Sequence, residues 1–232
     1  MRLFWLGRAP YEPVLRLQQA LRREVLSGGA ECILLVEHAP VITLGHRATA
    51  ADLLVSTDRL AAQGIETVRV ERGGQATYHG PGQLVVYPIC RLRGGVVGHV
   101  DWLTAAAVSV ADSVGICAEY RQEPVGVWVG EKKIGAVGVH VEHQVAIHGL
   151  SLNVTAESTA PFRRGLFVAC GARGAQVTSL VEEGAEPSLT THDVALRFAQ
   201  TLLRLRGLPP LPVESTRAEL LFDRMASGVA RG

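Results

Sequence analysis

Arg72–Ile89 reads RGGQATYHGPGQLVVYPI. The first twelve residues of this stretch hold four glycines and a proline, and the chain then turns apolar without a break. Glycine takes positive φ angles at no steric cost and lets backbone come close to a ligand. The run LVVYPI predicts a core strand that would hold the end of the glycine-rich segment rigidly, and such loops are favoured places for a site. Tyr78 and His79 are the bulky, polar-tipped exceptions within it. The segment is neither a phosphate loop, lacking GxxxxGK[ST], nor a GxGxxG turn between strand and helix. An ordinary hairpin turn with a satisfied histidine is the alternative.

Working outward, Arg2–Leu6 is short and apolar and predicts an edge strand. Val14, Leu17, Leu21 and Val25 recur at helical spacing, with Gly28-Gly29 as the stop. Cys32–Val36 is continuously apolar, like a strand covered on both faces. Val41–Leu44, Ile65–Val70 and Gln83–Ile89 are further strand candidates. A helix is predicted from Asp101, as its cap, to Ile116. Val125 to Asn153 is strand-rich, with turns expected at Gly130 and Gly149. Thr190 or Thr191 can cap a helix to about Leu205, and GLPPLP precedes a short helix around Ala218–Met225. With no repeat and no linker, the pattern predicts an α/β fold: a single domain over 1–232, with a mixed β-sheet flanked by helices.

Hydrophobic residues make up 47% and charged residues 19%, which suits a packed globule and argues against disorder. A net charge of +1 gives no reason to expect nucleic acid or a membrane surface as partner. No apolar run is long enough for a bilayer span or a secretory signal, so the cytoplasm is the expected location. Cys32, Cys90, Cys117 and Cys170 lie far apart, which points to reduced thiols without a zinc knuckle.

Of 23 basic residues only Lys132 and Lys133 are lysine. Arginine holds its proton, whereas a buried lysine can trade one. Read with period two, KKIGAVGVHVE puts Lys133 on a face with Gly135, Val137, Val139 and Val141, so Lys133 is the lysine expected to be buried, with open space at Gly135. Two solvated turn lysines are the alternative. Cys32, Cys90 and Cys117 read as structural. Cys170, within ACGARGA, has small neighbours and room for a substrate carbonyl, and a nearby cation such as Lys133 would favour its thiolate. A buried inert thiol is the other reading.

RGGQATYHGPGQLVVYPI, KKIGAVGV, HGLSLNV, ACG with VTSL beyond, and EHAPVITLG at Glu37–Gly45 stand in the order that resembles the octanoyltransferase family of lipoate biosynthesis, within the biotin/lipoate protein ligase-like superfamily. The resemblance covers nearly the whole chain. It implies the α/β fold of biotin and lipoate ligases, Cys170 as acyl-carrying nucleophile and Lys133 as the lysine sharing protons with it. It implies substrate binding by Arg72, Gly73, Gly74, Gln75, Ala76, Thr77, Tyr78 and His79, by Ala136, Val137 and Gly138, and by Gly149, Leu150 and Ser151. Gly135, Ser151 and Ala169 depart from the family pattern by small substitutions. The implied donor is octanoyl-acyl carrier protein, whose phosphopantetheine arm carries the thioester, so no cofactor and no metal is expected. The implied acceptor is a lysine on lipoyl domains of 2-oxoacid dehydrogenases or of the glycine cleavage H protein, and a monomer is expected. Because carrier protein is acidic, Arg163-Arg164 and Arg91/Arg93 are candidate landing residues.

Three other readings compete: an ATP-dependent lipoate or biotin ligase, a transferase between lipoyl domains, and a noncatalytic acyl- or protein-binding module. A metal site on His140, His143 and His148 is disfavoured because His140 and His143 point to opposite faces of an extended strand.

Overall fold

The computed structural model describes residues 1–167 and 176–227. Chain order begins with β1 (Arg2–Ala9), α1 (Tyr11–Leu26), β2 (Cys32–His38), β3 (Val41–Leu44), the short α2 (Thr57–Ala61), β4 (Glu66–Arg69), β5 (Ala76–His79) and β6 (Gln83–Arg91). It continues through α3 (Gly95–Asp112), β7 (Glu119–Gln122), β8 (Val125–Val129), β9 (Lys132–Glu142), β10 (Val145–Asn153) and α4 (Ala160–Arg163). After the undescribed stretch come β11 (Gln176–Val177), α5 (Thr191–Leu205), β12 (Val213–Ser215) and α6 (Ala218–Ala226). No helix among the described residues is long and apolar enough to cross a membrane.

The main sheet runs β12-β1-β2-β6-β10-β9-β8-β7, with β11 beside β9. β1 is parallel to β2 and β12, β11 is parallel to β9, and the remaining pairs are antiparallel. Period-two alternation in β2 splits its side chains between two cores. Ile33 and Leu35 pack with α3 and α5, whereas Cys32, Leu34 and Val36 pack with α1 and α6. The helical stripe of α1 predicted by spacing is buried as expected, with Val14, Leu17, Leu21 and Val25 at most 1% exposed. Thr190 caps α5 in a reciprocal capping box with Asp193, a device that contributes on the order of 1 kcal/mol.

Several expectations are corrected. β1 is not an edge strand, because Leu3 to Trp5 pair with Val213 to Ser215 outside it. α3 starts six residues before Asp101, at Gly95, behind a left-handed Gly94. Gly149 lies within β10, and the β9–β10 turn is made by His143 and Gln144 at φ of 48° and 63°. Both positive φ values fit the twist of a tight hairpin without any glycine. Ala76–His79 is not loop: it pairs with β3 in a separate small sheet, β4-β3-β5. That small sheet is what builds the site.

Candidate active site

β5 is the inner wall of the site, and its alternation sorts its residues. Ala76 and Tyr78 enter the small sheet's own apolar core with Ile42, Leu60 and Phe167. Thr77 and His79, on the opposite parity, line a cleft between the small sheet and the main one. Arg72 fastens the preceding loop. It is 6% exposed, and its Nη2 donates to Thr43 O at 2.7 Å and to Thr43 Oγ1 at 2.8 Å. Gly73 N–H donates to Val139 O at 3.1 Å, which straps the loop across β9. This crossing needs glycine opposite, since a Cβ on Gly138 would stand 2.9 Å from Gly73 O.

The cleft encloses about 560 Å³, a figure that includes the space open to solvent. Gly74, Gln75, Val137, Gly138, Leu150 and Ser151 reach it, so the three predicted binding stretches converge from β5, β9 and β10. A second cavity, of about 310 Å³ with the space open to solvent included, lies between Tyr78, Phe162 and Val177. Thr77, Lys133, Ala136 and Ser151 border both cavities.

Lys133 is 5% exposed, while Lys132 turns outward and pairs with Glu183 at 2.9 Å. The expected burial holds, but period two gives the wrong face. Val127 opposes Gly135 and Trp128 opposes Lys133, which leaves Ile134 as an extra residue in β9. This bulge turns Ile134 into the α3–α5 core and Lys133 into the cleft beside Ala136. Lys133 Nζ donates to Val125 O at 2.7 Å and lies 5.6 Å from the Trp128 ring centroid. The space beside the amine comes from Gly126 rather than Gly135, where a Cβ would stand 3.0 Å from Ser151 O.

Beneath the cleft is a buried cluster that sequence reading missed: Tyr11, His38 and Tyr87, joined by His148. His38 Nε2 lies 2.9 Å from Tyr87 Oη and its Nδ1 lies 3.1 Å from Ala9 O. A carbonyl only accepts, so Nδ1 carries the proton and the Tyr87 hydroxyl donates to Nε2. Burial pushes His38 down to about 4 and Tyr87 well above the usual phenol value. Burial, with Arg72 nearby, lowers His148 to about 3. Burial and then His38 hold His79 well below the usual imidazole range. His79 Nδ1 meets Gln83 Oε1 at 2.7 Å, Gln83 Nε2 donates to Asn153 Oδ1 at 2.9 Å, and Asn153 Nδ2 donates to Thr178 O at 2.9 Å. With the amides oriented by this network, His79 donates from Nδ1 and keeps its lone pair on Nε2. For His38, Tyr87 and His148 the sequence signal is that polar rings recur at strand positions otherwise occupied by apolar residues, whereas Tyr11 opens α1.

Cys170, the predicted nucleophile, and Ala169 lie outside the described residues. The chain resumes with Gln176 and Val177 paired to Lys132 and Lys133. Cys32 and Cys90 are buried free thiols as expected, but Cys117 is exposed. Burial, against Arg206, raises Cys90 to about 11. Of the landing candidates, Arg163 is committed to Glu182, Thr159 and Ala156. Arg91 donates to Val25 O at 3.2 Å, whereas Arg93 and Arg164 are exposed.

The family described as lipoyl protein ligase A/B catalytic domain matches residues 10–203. An octanoyltransferase of Acidobacterium capsulatum is 38% identical, over 93% of this chain and 94% of its own length. An octanoyltransferase of Desulfovibrio desulfuricans is 37% identical, over 94% of both. Among solved structures, a lipoate-protein ligase A bound with ATP superposes with a TM-score of 0.77 at 15% identity, over 98% of this chain and 95% of that one. That likeness carries the fold, and the two relatives carry the family. On these matches the chain belongs to the lipoyl protein ligase A/B catalytic family and, within it, to the octanoyltransferases, which are acyltransferases.

Proposed function

We propose that this chain transfers an octanoyl group from the phosphopantetheine thioester of acyl carrier protein to a lysine of a lipoyl domain, through a thioester on Cys170. The observation that carries this reading is the Lys133 amine, buried where the two cavities meet. The strand that follows the Cys170 segment pairs with Lys133 itself.

The Cys170 thiolate attacks the donor carbonyl, and the tetrahedral intermediate expels the carrier thiolate, which takes a proton from Lys133. The acceptor amine then attacks the octanoyl-enzyme. Lys133, now neutral, takes the amine's proton, and Cys170 leaves as thiolate. One thioester replaces another in the first half, and an amide replaces a thioester in the second. The sequence runs downhill without nucleotide, so no cofactor is invoked. Thr77 and His79 on one wall and Gly149 and Ser151 on the other bound the space for the fatty chain. Each buried methylene contributes about 0.8 kcal/mol.

An ATP-dependent ligase shares the fold, but the relatives at 37 and 38% identity over nearly the whole chain are transferases. Mixing purified enzyme, octanoyl carrier protein and a lipoyl domain without nucleotide separates the two. Amide formation in that mixture is expected. Product that appears only after ATP and free octanoate are added would establish a ligase instead.

A further inference from the structure

The groups that hold the Lys133 side chain belong to β8 and the turn before it. The bulge at Ile134 aims Lys133 at the cleft, and the register opposite it sets Trp128 against Lys133. Trp128 is 3% exposed, and its Nε1–H donates to Pro124 O at 3.1 Å, which ties the ring to the turn just before Val125. Val125 O in turn accepts from Lys133 Nζ at 2.7 Å. Gly126 completes the holder: at φ 155° it passes so near the side chain that an added Cβ would stand 2.5 Å from Lys133 Cε and 3.0 Å from Nζ. Amine, carbonyl, ring and glycine therefore fix one another's positions.

We infer that Gly126 and Trp128 are positioning residues for octanoyl transfer, which act by fixing the Lys133 amine at the junction of the two cavities. The inference rests on the role proposed above for Lys133. Neither residue borders the larger cleft, whereas Val125 and Lys133 both do. Disturbing the holder therefore moves the amine without removing a wall from the cleft. Misplacing a reacting group by about 1 Å can cost on the order of 100-fold in rate while substrate still binds.

The test measures octanoyl-enzyme formation from octanoyl carrier protein, by quenched intact mass, in the full chain and in Gly126→Ala, Trp128→Leu, Trp128→Phe and Lys133→Ala. Gly126→Ala and Trp128→Leu should lose about 10- to 100-fold in kcat with the donor's KM kept within about threefold. Trp128→Phe keeps a ring face toward the amine and should lose about tenfold less than Trp128→Leu. If Gly126→Ala does not fold, the comparison of Phe with Leu decides alone, with melting temperatures taken alongside. A rise in KM at constant kcat, or equal losses for Phe and Leu, would overturn the inference. Wild-type acylation by Lys133→Ala would remove the proton role proposed for Lys133, and the holder with it, while leaving octanoyl transfer through Cys170 standing. Loss in Lys133→Ala with normal rates in the Gly126 and Trp128 variants would remove only the holder.

Discussion

Gly149 lies on β10 against β6, and any Cβ there would overlap the Val86 carbonyl oxygen and crowd Pro88 Cδ at 3.1 Å. The obstacle is sheet backbone, which cannot rotate away. Gly149→Ala should therefore destabilise the fold by at least about 1–3 kcal/mol, as overpacking of a core does. A urea midpoint equal to wild type would show that the two strands can separate at no cost. At this scale the sequence was legible in part. Period two singled out Lys133 over Lys132 correctly, yet it paired Lys133 with Gly135 and Val137. The inserted Ile134 reverses that parity, and a bulge depends on the facing strand, which a single strand's pattern does not contain. Gly126 and Trp128 carry no local mark of their part either, since their importance lies in contact with a residue on the next strand.

Between elements, the site stands on histidines kept neutral by burial. His38 comes from β2, His79 from β5 and His148 from β10, around Tyr11 of α1 and Tyr87 of β6. Each has a folded-state value below that of the unfolded chain: about 4 for His38, about 3 for His148 and well below the ordinary value of 6.5 for His79. As pH falls below about 6.5 the unfolded chain takes up protons that the folded chain refuses, so stability present at neutral pH is lost on acidification toward the folded values. Each histidine contributes up to about 1.4 kcal/mol per pH unit in that window. Urea midpoints at about pH 7.5 and about pH 5.5 should fall steeply toward the acid side, before ordinary carboxylates titrate. A flat profile would mean that these rings already share protons in the folded state. The helices α1 and α5 and the strands β2, β3 and β6 were readable because their periodic runs are long or bounded by turn residues. β12 was not, being three residues long, and neither was β5, which has no turn residue of its own to set it off from the loop. β5 was further masked by the glycines around it.

Across the molecule, the large sheet supplies a floor of closely paired strands, and the small sheet with its arginine-pinned loop supplies the roof. Family motifs that lie far apart in the chain meet because β9 and β10 run antiparallel and the loop at Gly73 is strapped across β9. The order of those motifs made the fold and the reaction class legible from sequence. The small sheet, the buried tyrosine–histidine cluster and the holder of Lys133 depend on long-range pairing and needed coordinates. The central claim concerns covalent chemistry at Cys170, and intact mass reads it most directly. Wild-type enzyme mixed with octanoyl carrier protein alone should gain a single octanoyl group that hydroxylamine removes, and Cys170→Ala should gain none. A wild-type chain that transfers octanoyl groups without ever gaining mass, or a Cys170→Ala chain that gains as much, would contradict the account.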